Sequence, residues 1–193
     1  MATGIMGGTF DPIHVAHLIV AEQVADQLGL TRVIFVPSAR PPHKPNGDVT
    51  PVGHRLEMVR LAIDGNDRLE LSDLEAKRPE PSYTIDTIMQ FRRELGGEER
   101  LHFIMGADSL TQFFTWKEPL RLLSACEFVV VPRPGVSLDD GDDRIRERAA
   151  VLDTPLIEVS SSDIRDRVRS GRSIRYLVPR TVETYILEKN LYS

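Results

Sequence analysis

Two spacings of apolar residues organise this chain. ATGIMGG reads as a short strand that runs straight into a glycine pair. From His17 to Leu28 the residues Val20, Val24 and Leu28 recur at every fourth position, with Ala21 and Ala25 beside them. That is helix periodicity, and Gly29 supplies the stop. TRVIFVP is a continuous apolar run ended by Pro37, the pattern of a strand covered on both faces. After the polar, proline-rich stretch SARPPHKPNGDVT, a helix is expected to start near Pro51 with Thr50 as its N-cap. It should bury Leu56, Val59, Leu61, Ala62 and Ile63 by different amounts.

RLELSDLE contains a third, short strand, and a helix is expected from about Ile85 to Leu95, closed by Gly96 and Gly97. LHFIMG, CEFVVVPRP and PLIEVS supply a fourth, fifth and sixth strand. SSDIRDRV reads as the start of a helix, and a last helix near Pro179–Lys189 places Val182, Tyr185 and Ile186 on one face. VSLDDGDDRIRE, dense in aspartate, reads as the least ordered connection, although RIRERAAVL could form a helix. Strand, helix, strand in repetition indicates a parallel sheet with helices on both faces. In such sheets ligands occupy crevices at the carboxyl ends of the strands. The unusual segments GGTFDPIHVAH, PSARPPHK, EAKRPEPSYT, GADSLTQF, VPRPG and VSSSDIR all follow expected strands, which suggests one composite site.

Composition narrows the class. The 193 residues, 41% hydrophobic and 27% charged, suit one soluble domain with a sizeable core. No stretch approaches the roughly 20 apolar residues that span a bilayer, and MATGIMGGTF lacks a secretory leader, so a cytoplasmic protein without membrane contact is expected. A single cysteine, Cys126, offers neither an intrachain disulfide nor a cysteine pair for zinc, and its setting in LLSACEFVVV reads as core. The formal net charge of −5 argues against a long nucleic acid as partner. Yet residues 163–180 hold six arginines against two aspartates. Such a segment can neutralise a small phosphorylated ligand, or it can be a solvated arginine helix.

The chemistry concentrates in GGTFDPIHVAH. Gly7 and Gly8 allow close approach to a ligand, and their amides with the following helix end could cradle phosphate. His14 and His17, three residues apart, can share one side of a helical turn. The pair could contact phosphate, hold a metal or serve structure alone. A zinc site would lack an evident third ligand.

Taken together, these residues resemble the bacterial nicotinate-nucleotide adenylyltransferase family of the HxGH-bearing nucleotidyltransferases. GGTFDPIH with His17 looks like its first signature, and VSSSDIR like its second, usually written ISSTxxR. FVPSARPPHK, KRPEPSYTIDTI, FIMGADSL and FTWKEP fall between them in the family's order, so the resemblance covers roughly residues 4–189. Two departures stand out. HVAH carries Ala16 where HxGH has glycine, and Ser162–Asp163 replaces serine–threonine.

The resemblance implies a single Rossmann-like nucleotidyltransferase domain over 1–193, with the part from about 161 to 193 completing the ATP site. It implies transfer of the adenylyl group of ATP to nicotinate mononucleotide in NAD biosynthesis, without a covalent enzyme intermediate. Magnesium would travel with ATP and pyrophosphate rather than sit on a protein metal site. His14, His17 and Arg165 are the implied catalytic residues. Gly7, Gly8, Thr9, Phe10, Lys44, Gly106, Asp108, Ser161 and Ile164 join them around ATP. Lys44, Ser82, Tyr83, Thr84, Asp108 and Trp116 are implied for nicotinate mononucleotide. Ser161 and Thr84 could instead cap helices, Trp116 could be core, and Lys44 and Lys117 could be solvated. A homodimer is a modest expectation. Nicotinamide mononucleotide or phosphopantetheine as acceptor, or a nucleotide-binding regulator without turnover, are the rival readings.

Overall fold

The computed structural model describes residues 1–39, 49–78 and 81–193. Six strands form one sheet: β1 (Ala2–Gly8), β2 (Arg32–Pro37), β3 (Leu69–Leu71), β4 (Arg100–Gly106), β5 (Glu127–Val131) and β6 (Ala149–Val151). All of these strands pair in parallel, in the order β3-β2-β1-β4-β5-β6. The strand order turns back between β1 and β4. That is where a doubly wound sheet opens a crevice at its carboxyl edge.

The helices are α1 (Val15–Leu28), α2 (Val52–Ile63), α3 (Thr84–Leu95), α4 (Pro119–Ala125), α5 (Asp143–Arg146), α6 (Ser161–Arg169) and α7 (Arg180–Glu188). Alternation along each strand splits the core in two. Met6, Val33, Phe35 and Val129 point to one face, where they meet residues of α1, α2, α6 and α7. Ile5, Ile34, Val36 and Phe128 point to the other, against α3, α4 and the Phe113 segment. Strands buried on both sides explain the unbroken apolar runs in the sequence.

Gly29 ends α1 in the left-handed region at φ 59°, as its place after Leu28 predicts. Several boundaries differ from expectation. Thr50 is not the cap of α2, because Pro51 holds that position. The Thr50 amide donates to Asp11 Oδ2 at 3.1 Å and its carbonyl accepts from Arg55 at 2.8 Å, so Thr50 ties the helix start to the β1 loop. Leu56, Leu61 and Ala62 are only partly buried, while Met58 and Arg55 are fully buried.

PLIEVS is not a strand. The sixth place in the sheet goes to Ala149–Val151; Leu156 is 64% exposed, and Val159 of this run packs against the core without joining the ladder. The aspartate-rich connection is ordered by local bonds. The Ser137 and Asp142 side chains accept from the Asp139 and Arg144 amides, and Arg146 pairs with Asp139 and Asp143. The Arg144 guanidinium lies 3.6 Å over the Phe114 ring. Helix α4, with Pro119 at its first turn, was not evident from periodicity, being only seven residues long. Cys126 is buried in the core as expected, its thiol pushed up to about 12 by burial.

Candidate active site

The loop after β1 is built around one strained residue. Phe10 has φ 49°, a region bulky side chains rarely adopt. Its ring is held edge-on to Phe35 and His17, at centroid distances of 5.5 and 5.0 Å. It also covers Gly8, where an added Cβ would stand 2.9 Å from Phe10 Cζ. Glycine is therefore needed at 8 for space. At Gly7 the same methyl would make only ordinary contact with Phe103 at 3.5 Å. Neither glycine has positive φ. Phe10 is 3% exposed, so it shapes the loop from below.

His14 is the N-cap residue of α1 and His17 lies in its first turn. Their rings stack at a centroid distance of 3.7 Å, so the expectation that both share one side of a helical turn holds. The His14 amide donates to His17 Nδ1 at 3.2 Å, which leaves the His17 proton on Nε2 as a donor. His14 Nδ1 is buried with no hydrogen-bond partner among the described residues. Burial, with the charge of Arg133, pulls His14 down to about 4. Burial, then His14 and Arg133, holds His17 well below the usual histidine range. Both imidazoles are therefore neutral donors near pH 7 before a ligand arrives. Ala16, inside the first turn of α1, is not among the positive-φ residues, so its methyl strains nothing.

A pH dependence follows. His14 is depressed in the folded protein, so the unfolded chain binds the extra proton between about pH 6.5 and 4. Its contribution to stability is complete above 6.5 and is lost as pH falls through that window. Thermal unfolding from pH 7 to pH 5 should show this decline, and His14→Gln should flatten part of it. An unchanged slope in that variant would contradict the assignment.

The second signature arrives on α6. Ser160, not Ser161, caps the helix, accepting from the Asp163 amide. The Ser161 hydroxyl instead donates to the Pro12 carbonyl at 2.8 Å, and Arg165 Nη1 donates to the Asp11 carbonyl at 2.7 Å. These bonds join positions 149 and 154 residues apart. The Leu177 carbonyl accepts the Val15 amide at 3.0 Å, which closes the same junction around the start of α1. Ile164 has no exposed surface; its side chain anchors α6 in the core and its amide is used inside the helix, so it has no face toward the cleft. Three other arginines of the basic segment are spent differently. Arg167 and Arg169 pair with Asp163 and Asp166, and Arg175 lies over Tyr176.

Across the switch point, Gly106 ends β4 and Asp108 follows it. Asp108 pairs with Arg133 at 3.4 Å, and a Cβ on Gly106 would reach within 2.5 Å of the Asp108 carboxylate. On the α3 side, Ser82 is buried with its hydroxyl unpartnered among the described residues. Tyr83 stands at the N-cap of α3 and Thr84 is its first residue, with no capping hydrogen bond from either side chain. Trp116 is partly buried, at 5.4 Å from Phe113 and 6.1 Å from Phe103 between ring centroids. Lys117 is exposed, as expected, and makes a surface pair with Asp86 at 3.0 Å, 4.7 Å over the Tyr83 ring. Lys44 falls outside the described residues.

A family model for cytidylyltransferase-like proteins matches residues 5–167. A probable nicotinate-nucleotide adenylyltransferase of Thermomicrobium roseum is 45% identical over 194 residues, covering 98% of this chain and 90% of that protein. One of Exiguobacterium sibiricum is 46% identical over 195 residues and matches along the whole length of both chains. The chain belongs to the nicotinate-nucleotide adenylyltransferase family. The solved nicotinic acid mononucleotide adenylyltransferase of Plasmodium falciparum, complexed with NaAD, superposes with a TM-score of 0.82. It covers 99% of this chain and 97% of its own at 23% identity, a likeness of fold.

Within this family framework, four residues important to the site were not picked out from sequence. Arg133, in VPRPG at the end of β5, acts on both histidines and pairs with Asp108. Its place in a loop at a strand end was the available signal. Asp11, Arg55 and Tyr192 are linked by burial and hydrogen bonding, and no spacing rule connects them. Among the described residues no three His, Cys, Asp or Glu side chains cluster closely enough to hold a metal ion. No helix among them is long and apolar enough to cross a membrane.

Proposed function

We propose that this chain transfers the adenylyl group of ATP to the 5′-phosphate of nicotinate mononucleotide, releasing pyrophosphate and forming nicotinate adenine dinucleotide in NAD biosynthesis. The observation that carries this reading is that Ser161 and Arg165 bond the Pro12 and Asp11 carbonyls, in the loop that leads directly into the stacked His14–His17 pair.

The acceptor phosphate is already anionic, so the reaction needs no enzyme nucleophile and no strong base. The protein's work is to align two phosphate-bearing molecules and to stabilise charge on the phosphoryl oxygens. His17 offers Nε2–H, and His14 supplies the second imidazole. Arg165 uses two of its nitrogens on Asp11 and Ser162 and keeps further N–H donors for the β- or γ-phosphate. Ser161 holds the second signature against the first. Magnesium would enter with the ATP substrate, held by its phosphates; the buried Asp11 carboxylate is taken by Thr50 and Tyr192. The ion shields the triphosphate.

On the acceptor side, the unpartnered Ser82 hydroxyl and Thr84 at the start of α3 favour an anionic group, phosphate or carboxylate. Trp116, braced by Phe113 and Phe103, offers a face for the pyridine ring, and Asp108 suits ribose hydroxyls rather than phosphate.

The test supplies the purified protein with magnesium-ATP and, separately, nicotinate mononucleotide, nicotinamide mononucleotide or phosphopantetheine. Pyrophosphate and the adenylylated product are measured together. Nicotinate adenine dinucleotide should be the main product. Preference for another acceptor, or ATP binding without pyrophosphate from any of them, would overturn the reading. Trp116→Ala should raise KM for nicotinate mononucleotide by about tenfold, with ATP affinity little changed. An unaltered KM would remove the stacking role.

A further inference from the structure

Asp11 is 1% exposed and lies beside two guanidinium groups, those of Arg55 and Arg165. A buried carboxylate next to arginine ordinarily takes a two-pronged charge-assisted pair, the strongest arrangement open to it. Here the described residues show something else. The carboxylate is filled by neutral donors: the Thr50 amide to Oδ2 at 3.1 Å and the Tyr192 hydroxyl to Oδ1 at 2.7 Å. Arg165 bonds the Asp11 backbone carbonyl instead, at 2.7 Å, and Arg55 bonds the carbonyls of Thr9, Ala39 and Thr50.

Tyr192 is brought to this point by a turn after α7. The Leu191 amide donates back to the Ile186 carbonyl at 3.0 Å, and Asn190 and Tyr192 stand at φ 49° and 67°. An aromatic residue at positive φ is uncommon. It is held there by the bond to Asp11 and by packing into the core beside Met58. Burial and the charge of Asp11 push the phenol upward, so it stays a donor throughout the working pH range.

We propose that Tyr192 is a positioning residue for Arg165. By occupying Asp11 Oδ1 with a neutral donor, it keeps the Arg165 guanidinium off the carboxylate and directed, through the Asp11 carbonyl, at the nucleotide phosphates. Without the hydroxyl, Oδ1 becomes a buried acceptor with no partner, and Arg165, already bonded to the carbonyl of the same residue, has unspent donors to offer it. The guanidinium then moves to the carboxylate and is withdrawn from the nucleotide. This inference rests on the reading of Arg165 as a phosphate ligand.

The test is a double-mutant cycle of Tyr192→Phe and Arg165→Ala, read by calorimetric titration with magnesium-ATP and by kcat and KM. The phenylalanine ring keeps the packing and removes one oxygen. Alone, Tyr192→Phe should weaken ATP binding by about tenfold, with KM for nicotinate mononucleotide unchanged. In the Arg165→Ala background it should change ATP binding by less than about twofold. Equal losses in both backgrounds, no loss at all, or a Tyr192→Phe protein that does not fold would each assign the hydroxyl to stability alone and overturn the proposal. The titration uses magnesium-ATP without the acceptor. A parent protein that binds ATP but adenylylates no nicotinate mononucleotide would therefore overturn the function while leaving the cycle interpretable.

Discussion

Replacing His17 by alanine should lower turnover by about 10²–10⁴ while the fold survives, the scale expected when a donor to developing phosphoryl charge is removed. The imidazole has a defined tautomer, because Nδ1 accepts the His14 amide and Nε2 carries the proton. Its neighbours hold the ring from two sides, His14 by stacking and Phe10 edge-on. Such a preorganised donor needs no reorientation as charge builds. The structural cost is small by comparison. The His14 amide loses one acceptor, about 1 kcal/mol, and α1 remains anchored by Ala21, Val24 and Ala25. The loss should therefore appear in kcat, with KM for the acceptor little changed and an unchanged circular dichroism spectrum. His17→Gln, which retains a side-chain N–H, should recover part of the rate. Turnover near that of the parent in His17→Ala would remove the histidine from the mechanism.

The second large effect concerns stability. Arg55→Met should destabilise the protein by about 3 kcal/mol or more, since breaking a buried charged hydrogen-bond network by removing one partner typically costs 3–5. Arg55 is 1% exposed and serves three carbonyls: Thr50 at 2.8 Å, Thr9 at 2.8 Å and Ala39 at 3.1 Å. Methionine fills a similar volume and offers none of these donors. For a chain of this length the corresponding fall in Tm is roughly 6–12 °C. Arg55→Lys should restore only a fraction, because one ammonium cannot reach three diverging acceptors as a planar guanidinium does. Thermal and urea unfolding would measure both variants, and a loss under about 1 kcal/mol would show that the loops stand without Arg55. Thr9 lies in the loop after β1, the proposed phosphate site, so the same variant should also weaken ATP binding.

The sequence made the sheet legible because its strands are buried on both faces. IMGG, VIFVP and FIMG are continuous apolar runs ending in glycine or proline, and each one is a strand. It misplaced the sixth strand because PLIEVS has the composition of β structure without a place in the ladder. AAV, shorter and blander, has the partner. Periodicity could not find α4, which is two turns long. Pro119 at its start was the only local signal.

The site divides in the same way. His14, His17 and Arg165 stood out because each is a polar residue inside a recognisable pattern, and the fold brings their segments together. What sequence could not give was the fastening beneath them. Nothing local tells that Arg55, on an amphipathic helix, turns inward to three carbonyls in two loops. Nor does it show that Tyr192 crosses 181 positions to bond Asp11. Such contacts are fixed by tertiary packing, and the residue types involved are usually exposed. Ile164 and Phe10 illustrate the converse. They sit inside motifs, yet their side chains face the core.

The most direct measurement is a structure of the protein with a non-hydrolysable ATP analogue, magnesium and nicotinate mononucleotide. The account predicts one continuous triphosphate whose oxygens lie about 3 Å from both His17 Nε2 and the Arg165 guanidinium, with the acceptor phosphate in line at the α-phosphorus. A triphosphate seated away from these groups, with the imidazoles and Arg165 turned to separate surfaces, would contradict it.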